Sequence, residues 1–263
     1  EKIAKYRESE PEKITTVEAY GTYFYLFNVT KAPFDNPLVR NALSLVVNRQ
    51  SIVDNITKAG QIPASTLSLM TESYHPDFNN EIYNPDKARQ LLAEAGYPGG
   101  KGFPTFTVIY NTADAHRKIA LAIQQMWKTE LGIDAQIENQ EWKTFLSTRQ
   151  DLHFDISRAG SISTLADPQD FLNSYTTGHG MNDTGWSNAE FDALLETAKV
   201  ETGDERYTLL AEAEAVLLRE LPIIPIYYYS FTYLKDPSVK GAKFNAIGRL
   251  NYKDIYIDHS EKK

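Results

Sequence analysis

FTVIYNTADAHRKIALAIQQMWKTELGIDAQIENQEWKTFLSTRQDLHFDISRAG, residues 106–160, switches back and forth between two hydrophobic periods. Phe106 to Tyr110 is a short apolar run of β-branched and aromatic residues, the mark of a buried strand. Asp114 to Glu130 places apolar residues at helical spacing and is stopped by Leu131 and Gly132, where glycine suits a left-handed C-cap. Ile133 to Glu138 reads as a second strand, Glu141 to Ser147 as a short helix, and His153 to Ala159 as a third strand. Strands alternating with helices predict an α/β fold, a mixed sheet flanked by helices, and argue against a β-sandwich.

The flanks extend the same pattern. Upstream, Tyr20 to Val29 is an aromatic-rich strand, and Thr30 to Phe34 is a turn because Pro33 cannot donate to a ladder. Leu38 to Val47 is a helix with Leu38, Ala42, Leu43 and Val46 on one face. Asn48 caps a helix from Arg49 to Ala59 that ends at Gly60. Gln61 to Tyr83 shows neither period and reads as a long, partly ordered loop. Asn84, Pro85 and Asp86 form an N-cap, a first-turn proline and a first-turn acid, opening a helix that stops at Gly96.

Downstream, Asp167 and Pro168 start a helix. Ser187 caps another to Lys199, with Glu190 at the capping-box position. A long amphipathic helix runs from about Asp204 to Arg219. Ile223 to Phe231 is an apolar strand in which Pro225 predicts an edge or a bulge. A late strand is expected at 254–257. Composition turns polar after Leu234. The expected organisation is a leader at 1–19, a ligand-binding lobe at 20–229 and a departing segment at 230–263.

The chain has 263 residues, 42% hydrophobic and 24% charged, the profile of an ordinary globular domain. Its formal net charge of −8 repels phosphate-rich partners, so no nucleic acid is expected. It contains no cysteine, which excludes disulfides, thiolate catalysis and cysteine-based zinc sites. The 16 tyrosines and 12 phenylalanines fit a sheet core with cross-strand aromatic pairs.

Signatures of chemistry are missing. There is no nucleophile elbow, no zinc-helix motif, no phosphate loop and no dinucleotide fingerprint. His75, His116, His153, His179 and His259 lack the pairwise spacing of a common metal site. No catalytic residue, metal or cofactor is therefore assigned, and a hydrolase with dispersed carboxylates stays as an alternative. Arg158 follows a strand and precedes Ala159 and Gly160, where the strand ends. It either closes a core ion pair or projects into a cleft, where a guanidinium can grip a carboxylate through paired hydrogen bonds. Trp142 is likewise a core indole or a flat wall.

Five stretches carry a resemblance: YFYLFNVTKAPFDNPLVRNA (23–42), VIYNTADAHRK (108–118), NQEWKTFL (139–146), FDISRAG (154–160) and GWSNAEFDALL (185–195), with IPIYYY (224–229) beside them. They are similar to the oligopeptide-binding proteins of bacterial ABC importers, extracellular solute-binding family 5. The resemblance covers nearly the whole chain but matches only the C-terminal half of such proteins. It implies one periplasmic-binding-protein-like lobe, whose last segment returns to a missing N-terminal lobe. The implied partners are an oligopeptide ligand and the membrane permease of an importer, in the periplasm or, as a lipoprotein, on the outer face of the cytoplasmic membrane.

Residue by residue, Arg158 resembles the arginine that meets the carboxylate of short peptides. His116 and Arg149 resemble the basic groups for longer ones, and Trp142 resembles a pocket wall. The enterobacterial type has a tryptophan directly after ArgAlaGly and an aspartate three residues beyond, which holds the ligand ammonium. Here Gly160 is followed by Ser161, and Thr164 replaces the aspartate, so this position supplies no charge. Asp167 reads as a helix cap. Murein peptide, nickel, haem or oligosaccharide are the alternative ligands within the same family.

Overall fold

The structure, a computed structural model, describes residues 2–78 and 81–260. A first helix, α1 (Lys2–Ser9), leads into the long strand β1 (Ile14–Phe27). Next come α2 (Pro37–Leu45), α3 (Arg49–Ile52) running on into a π-turn, the two-residue strand β2 (Ile62–Pro63) and α4 (Pro85–Glu94). The central segment gives β3 (Phe106–Asn111), α5 (Asp114–Leu131), β4 (Ala135–Gln140), α6 (Trp142–Gln150) and β5 (Ile156–Ile162). Then follow α7 (Pro168–Leu172), α8 (Ala189–Ala198), α9 (Gly203–Glu220) and β6 (Ile223–Leu234), with the short pair β7 (Val239–Lys240) and β8 (Tyr256–Ile257) last.

Six strands form one mixed sheet in the order β2-β6-β1-β5-β3-β4. β3 runs parallel to both β4 and β5, whereas β1 is antiparallel to β5 and β6. Strand side chains alternate between faces, and both faces are covered. Tyr23, Tyr25 and Phe27 of β1 pack with α2, α4 and α5, while Tyr20, Phe24 and Leu26 pack with α6, α8 and α9. This explains why β1 reads as a continuous apolar run rather than an alternating one. Trp127, fully buried on α5, donates from Nε1 to the Leu43 carbonyl at 2.9 Å and so ties α5 to α2.

The α/β architecture with a mixed, helix-flanked sheet is the one expected. Local differences have local causes. β1 begins at Ile14 because Ile14 to Glu18 pair with Ser230 to Leu234, a half-exposed ribbon without an apolar signal. Pro225 sits at a bulge, since Tyr23 pairs with Tyr227 but Phe24 with Pro225, skipping Ile226. The cap of α8 is Asn188, whose side chain accepts from the Phe191 N–H, and not Ser187; Glu190 lies in the first turn and pairs with Arg219.

The loop after β2 is more anchored than its composition suggested. Ala64, Thr66, Leu67, Ser68 and Leu69 are buried. Thr22 Oγ1 donates to the Leu67 carbonyl at 2.6 Å. Glu214 of α9, fully buried, accepts from the Ser68 N–H at 2.7 Å and from the Tyr74 hydroxyl at 2.5 Å.

Candidate functional site

The site is built where the antiparallel and parallel parts of the sheet meet. Arg158 of β5 lies opposite Tyr25 in the β1 register and shares the face of Tyr23. Its guanidinium carbon stands 4.7 Å from the centre of the Tyr23 ring. One terminal nitrogen donates to Asn111 Oδ1 at 3.3 Å and the other to the Tyr229 hydroxyl at 3.0 Å. The Nε–H is buried and has no partner. Among the described residues no carboxylate stands within ion-pair distance of this cation. Of the two readings open from the sequence, the core ion pair is thus not the one adopted.

Tyrosines form the rest of the cradle. Tyr23 stacks on Tyr227 at 4.7 Å between centroids and 13° between planes, and Tyr229 meets both rings edge-on. Burial pushes all of these phenols above their ordinary pKa, so they remain neutral around the guanidinium. Gly160 is needed for close approach: a Cβ there would lie 2.4 Å from the Tyr229 hydroxyl and 3.4 Å from an Arg158 nitrogen. His116, in the first turn of α5, reaches the same platform. Its ring centre is 5.6 Å from that of Tyr23 and its Nδ1 is 3.3 Å from the Tyr23 hydroxyl. Burial, and then the positive charge of Arg158, lower its pKa from 6.5 to about 4.

The structure therefore brings Arg158, His116 and Gly160 together and sets Trp142, Arg149 and Thr164 apart from Arg158 and His116. Arg149 of α6 packs on the opposite face, 5.6 Å from the Phe145 ring, and is paired with Asp183 at 2.5 Å. It borders a small pocket of about 60 Å³ with Ala159, Gly160, Ser161, Tyr175 and Met181, so Gly160 is the seam between the two faces. Trp142 opens α6, is 52% exposed and stacks on Phe145, so it is not a core indole. Thr164 is exposed in the loop between β5 and α7. Asp167 caps α7 through the Gln169 N–H and receives both terminal nitrogens of Arg206 at 2.8 and 2.9 Å. Its carboxylate is thereby committed.

Sequence reasoning missed Asn111 and the tyrosines. The signal was present: Tyr23 and Tyr25, and again Tyr227 and Tyr229, are two residues apart on strands and so share a face. Glu214 was also missed. Burial raises its pKa from 4.5 to about 7 against the opposing effect of its hydrogen bonds.

Comparison with known proteins gives a consistent picture. The family described as bacterial extracellular solute-binding proteins, family 5 Middle, matches residues 1–183. The dipeptide-binding protein DppE of Bacillus subtilis is 36% identical over 256 residues, covering 93% of this chain and 47% of that protein. The periplasmic oligopeptide-binding protein OppA of Salmonella typhimurium is 34% identical, covering 98% and 49%. Among solved structures, the murein tripeptide-binding protein MppA in its unliganded open form superposes with a TM-score of 0.89 at 32% identity, covering 97% of this chain and 51% of that one. OppA of Haemophilus influenzae in complex with RPPGFSPFR gives 0.83 at 30% identity, covering 97% and 52%. The chain spans about half the length of the relatives it matches. Relatives named for other solutes occur too, including a probable deoxycholate-binding protein of Escherichia coli at 31% identity and haem-binding protein A of Haemophilus influenzae at 27%.

Proposed function

Because this chain belongs to the bacterial extracellular solute-binding proteins of family 5, we propose that it is the ligand-gripping lobe of a receptor that captures oligopeptides outside the cytoplasm and delivers them to an ABC importer. The family and fold are those of solute-binding transport proteins, not of enzymes. The observation that carries the peptide reading is Arg158, a half-buried cation with neutral partners only. Holding such a charge away from water costs free energy unless an anion completes it. Five N–H donors belong to a guanidinium, and two are used here, which leaves room for the paired grip of a carboxylate. A peptide C-terminus presents that group.

In this reading the lobe comprises residues 20–229, and the segments 1–19 and 230–263 join it to a second lobe. The exposure of Leu234, Tyr252, Tyr256 and Ile257 supports a partner surface at that end. Trp142 and Gly160 would border the peptide and His116 would serve longer ligands, whereas Arg149 would reach such a ligand only by giving up its pair with Asp183. Thr164 offers a hydroxyl where a charge would hold the ligand ammonium. The partner is an importer's membrane permease, and the location is the periplasm or, for a lipoprotein, the outer face of the cytoplasmic membrane. No helix among the described residues is long and apolar enough to cross a membrane.

Replacing Arg158 by alanine in the full-length protein should weaken tri-alanine binding by about 2–5 kcal/mol, read by calorimetric titration. Affinity retained within about twofold would remove Arg158 from the site. A second reading is favoured by the same cation, since deoxycholate and haem also carry carboxylates. Competition of each against tri-alanine separates the readings.

A further inference from the structure

We propose that capture is proton-linked: when a ligand carboxylate seats on Arg158, His116 takes up a proton from solvent. The inference rests on the carboxylate-binding reading above. Its basis is the shared platform. The guanidinium lies 4.7 Å from the Tyr23 ring centre, and the His116 ring lies 5.6 Å from the same centre with Nδ1 3.3 Å from the hydroxyl. Two basic groups thus share one phenol in a half-buried site, where like charges repel more strongly than in bulk water.

Among the described residues no carboxylate acts on His116 to offset that repulsion. β1 brings Tyr23 and Tyr25, β5 brings Arg158, and β6 brings Tyr227 and Tyr229 around the Tyr23 ring. Its own helix carries Asp114, Arg117 and Lys118, but the Asp114 carboxylate is engaged by Lys118 at 2.8 Å. In the unliganded lobe burial and Arg158 keep the imidazole neutral, with its pKa lowered to about 4.

A carboxylate on Arg158 reverses the electrostatic part of this. It cancels the cation that opposes protonation and places an anion beside the ring, favouring imidazolium. The protonated Nδ1–H can then donate to the Tyr23 oxygen, whose own hydrogen turns aside, since a phenol both donates and accepts. The proton comes from water or buffer, and no bond of the ligand breaks. Between the two values of the His116 pKa, free and bound, each binding event consumes a proton, so affinity rises as pH falls.

The test is calorimetry of the full-length protein with tri-alanine and tetra-alanine at pH 6, in buffers of different ionisation enthalpy. At that pH the peptide termini exchange almost no proton. We expect an uptake of about half a proton or more, and about a tenfold rise in affinity from pH 7 to pH 5. In His116→Gln, whatever affinity remains for tri-alanine should come with no proton uptake and should not change from pH 7 to pH 5. Tight binding without proton uptake, or the same uptake in His116→Gln, overturns the inference and leaves the carboxylate reading standing. Binding of neither peptide removes that reading and the inference together. A ligand-free measurement adds a second check: in Arg158→Gln the His116 ring should titrate higher by NMR, and an unmoved midpoint would also overturn the inference.

Discussion

Arg158, on the interior strand β5, and Arg149, on the helix α6, lie on opposite faces of the sheet, and the chain treats them in opposite ways. Arg149 is neutralised by Asp183 at 2.5 Å and rests against Phe145, with its side chain 17% exposed and that of Asp183 12%. Arg158 has a ring beneath it, an amide and a phenol at its tips, and no carboxylate. Both guanidinium groups keep a buried Nε–H without a partner, so the difference is the counter-charge: a cation neutralised by the fold supports stability, whereas one left without an anion is available to a ligand. The distinction lies in the partners and not in the residue type. It also divides the pair that family likeness groups together as peptide-carboxylate contacts.

The division predicts a crossed pattern. Arg149→Ala strands a mostly buried Asp183 carboxylate, a mechanism worth about 3 kcal/mol of stability when solvent access is small. Arg158→Ala strands no opposite charge, so its denaturation midpoint should stay near the parent's while peptide affinity collapses. Urea titrations of both variants read the first effect. If Arg158→Ala were the less stable of the two, the assignment of roles would be broken.

Glu214 sharpens the comparison from the acidic side, as a fully buried carboxyl whose partners are Ser68 and Tyr74 rather than a cation. Burial raises its pKa to about 7 from 4.5. Between those values the unfolded chain has released a proton that the folded chain still holds. Rising pH therefore opposes folding across that window, and the stability it contributes is complete below about 4.5 and lost by about 7. The integrated effect is on the order of 3 kcal/mol. Glu214→Gln should remove that slope from a plot of unfolding free energy against pH. A slope unchanged in the variant would assign it to other groups. The loop from Ala64 to Tyr74, pinned by this carboxyl, should be the first region to lose amide protection as pH rises.

How much of this was readable beforehand depends on the range of the interaction. The β3–α5–β4–α6–β5 succession was legible because period, caps and Gly132 are local signals. The end of that last strand was misplaced: β5 runs on to Ile162, paired with β1 throughout, so Arg158 and Gly160 lie within the strand and not at its end. The pairing of Ile14 to Glu18 with Ser230 to Leu234 was not, because it depends on a register across more than two hundred residues. Arg149 could not be separated from Arg158 either. Both are arginines near the same strand, and only the faces of the sheet, with Asp183 on one of them, tell them apart. The anchoring of Leu67 and Ser68 was hidden because its partner, Glu214, looked like one more acid on an amphipathic helix.

The smallest expected effect tests how the unfinished cation is held. An alanine Cβ at Gly160 would come within 2.4 Å of the Tyr229 hydroxyl but 3.3 Å of the ring carbon that bears it. Gly160 is not among the positive-φ glycines, so contact rather than backbone strain sets the cost. Gly160→Ala should therefore push the hydroxyl off Arg158, costing about 1.5 kcal/mol for the lost hydrogen bond to a charged group and weakening peptide binding by a similar free energy. Tyr229→Phe removes that hydroxyl directly and should cost about the same. If both act through one contact, the double variant should lose little more than either single one, a coupling of about 1.5 kcal/mol in the cycle. Strict additivity in tri-alanine affinity would mean that Gly160 serves something other than the Tyr229–Arg158 contact. Arg158 would then be positioned by Asn111 and the Tyr23 ring alone.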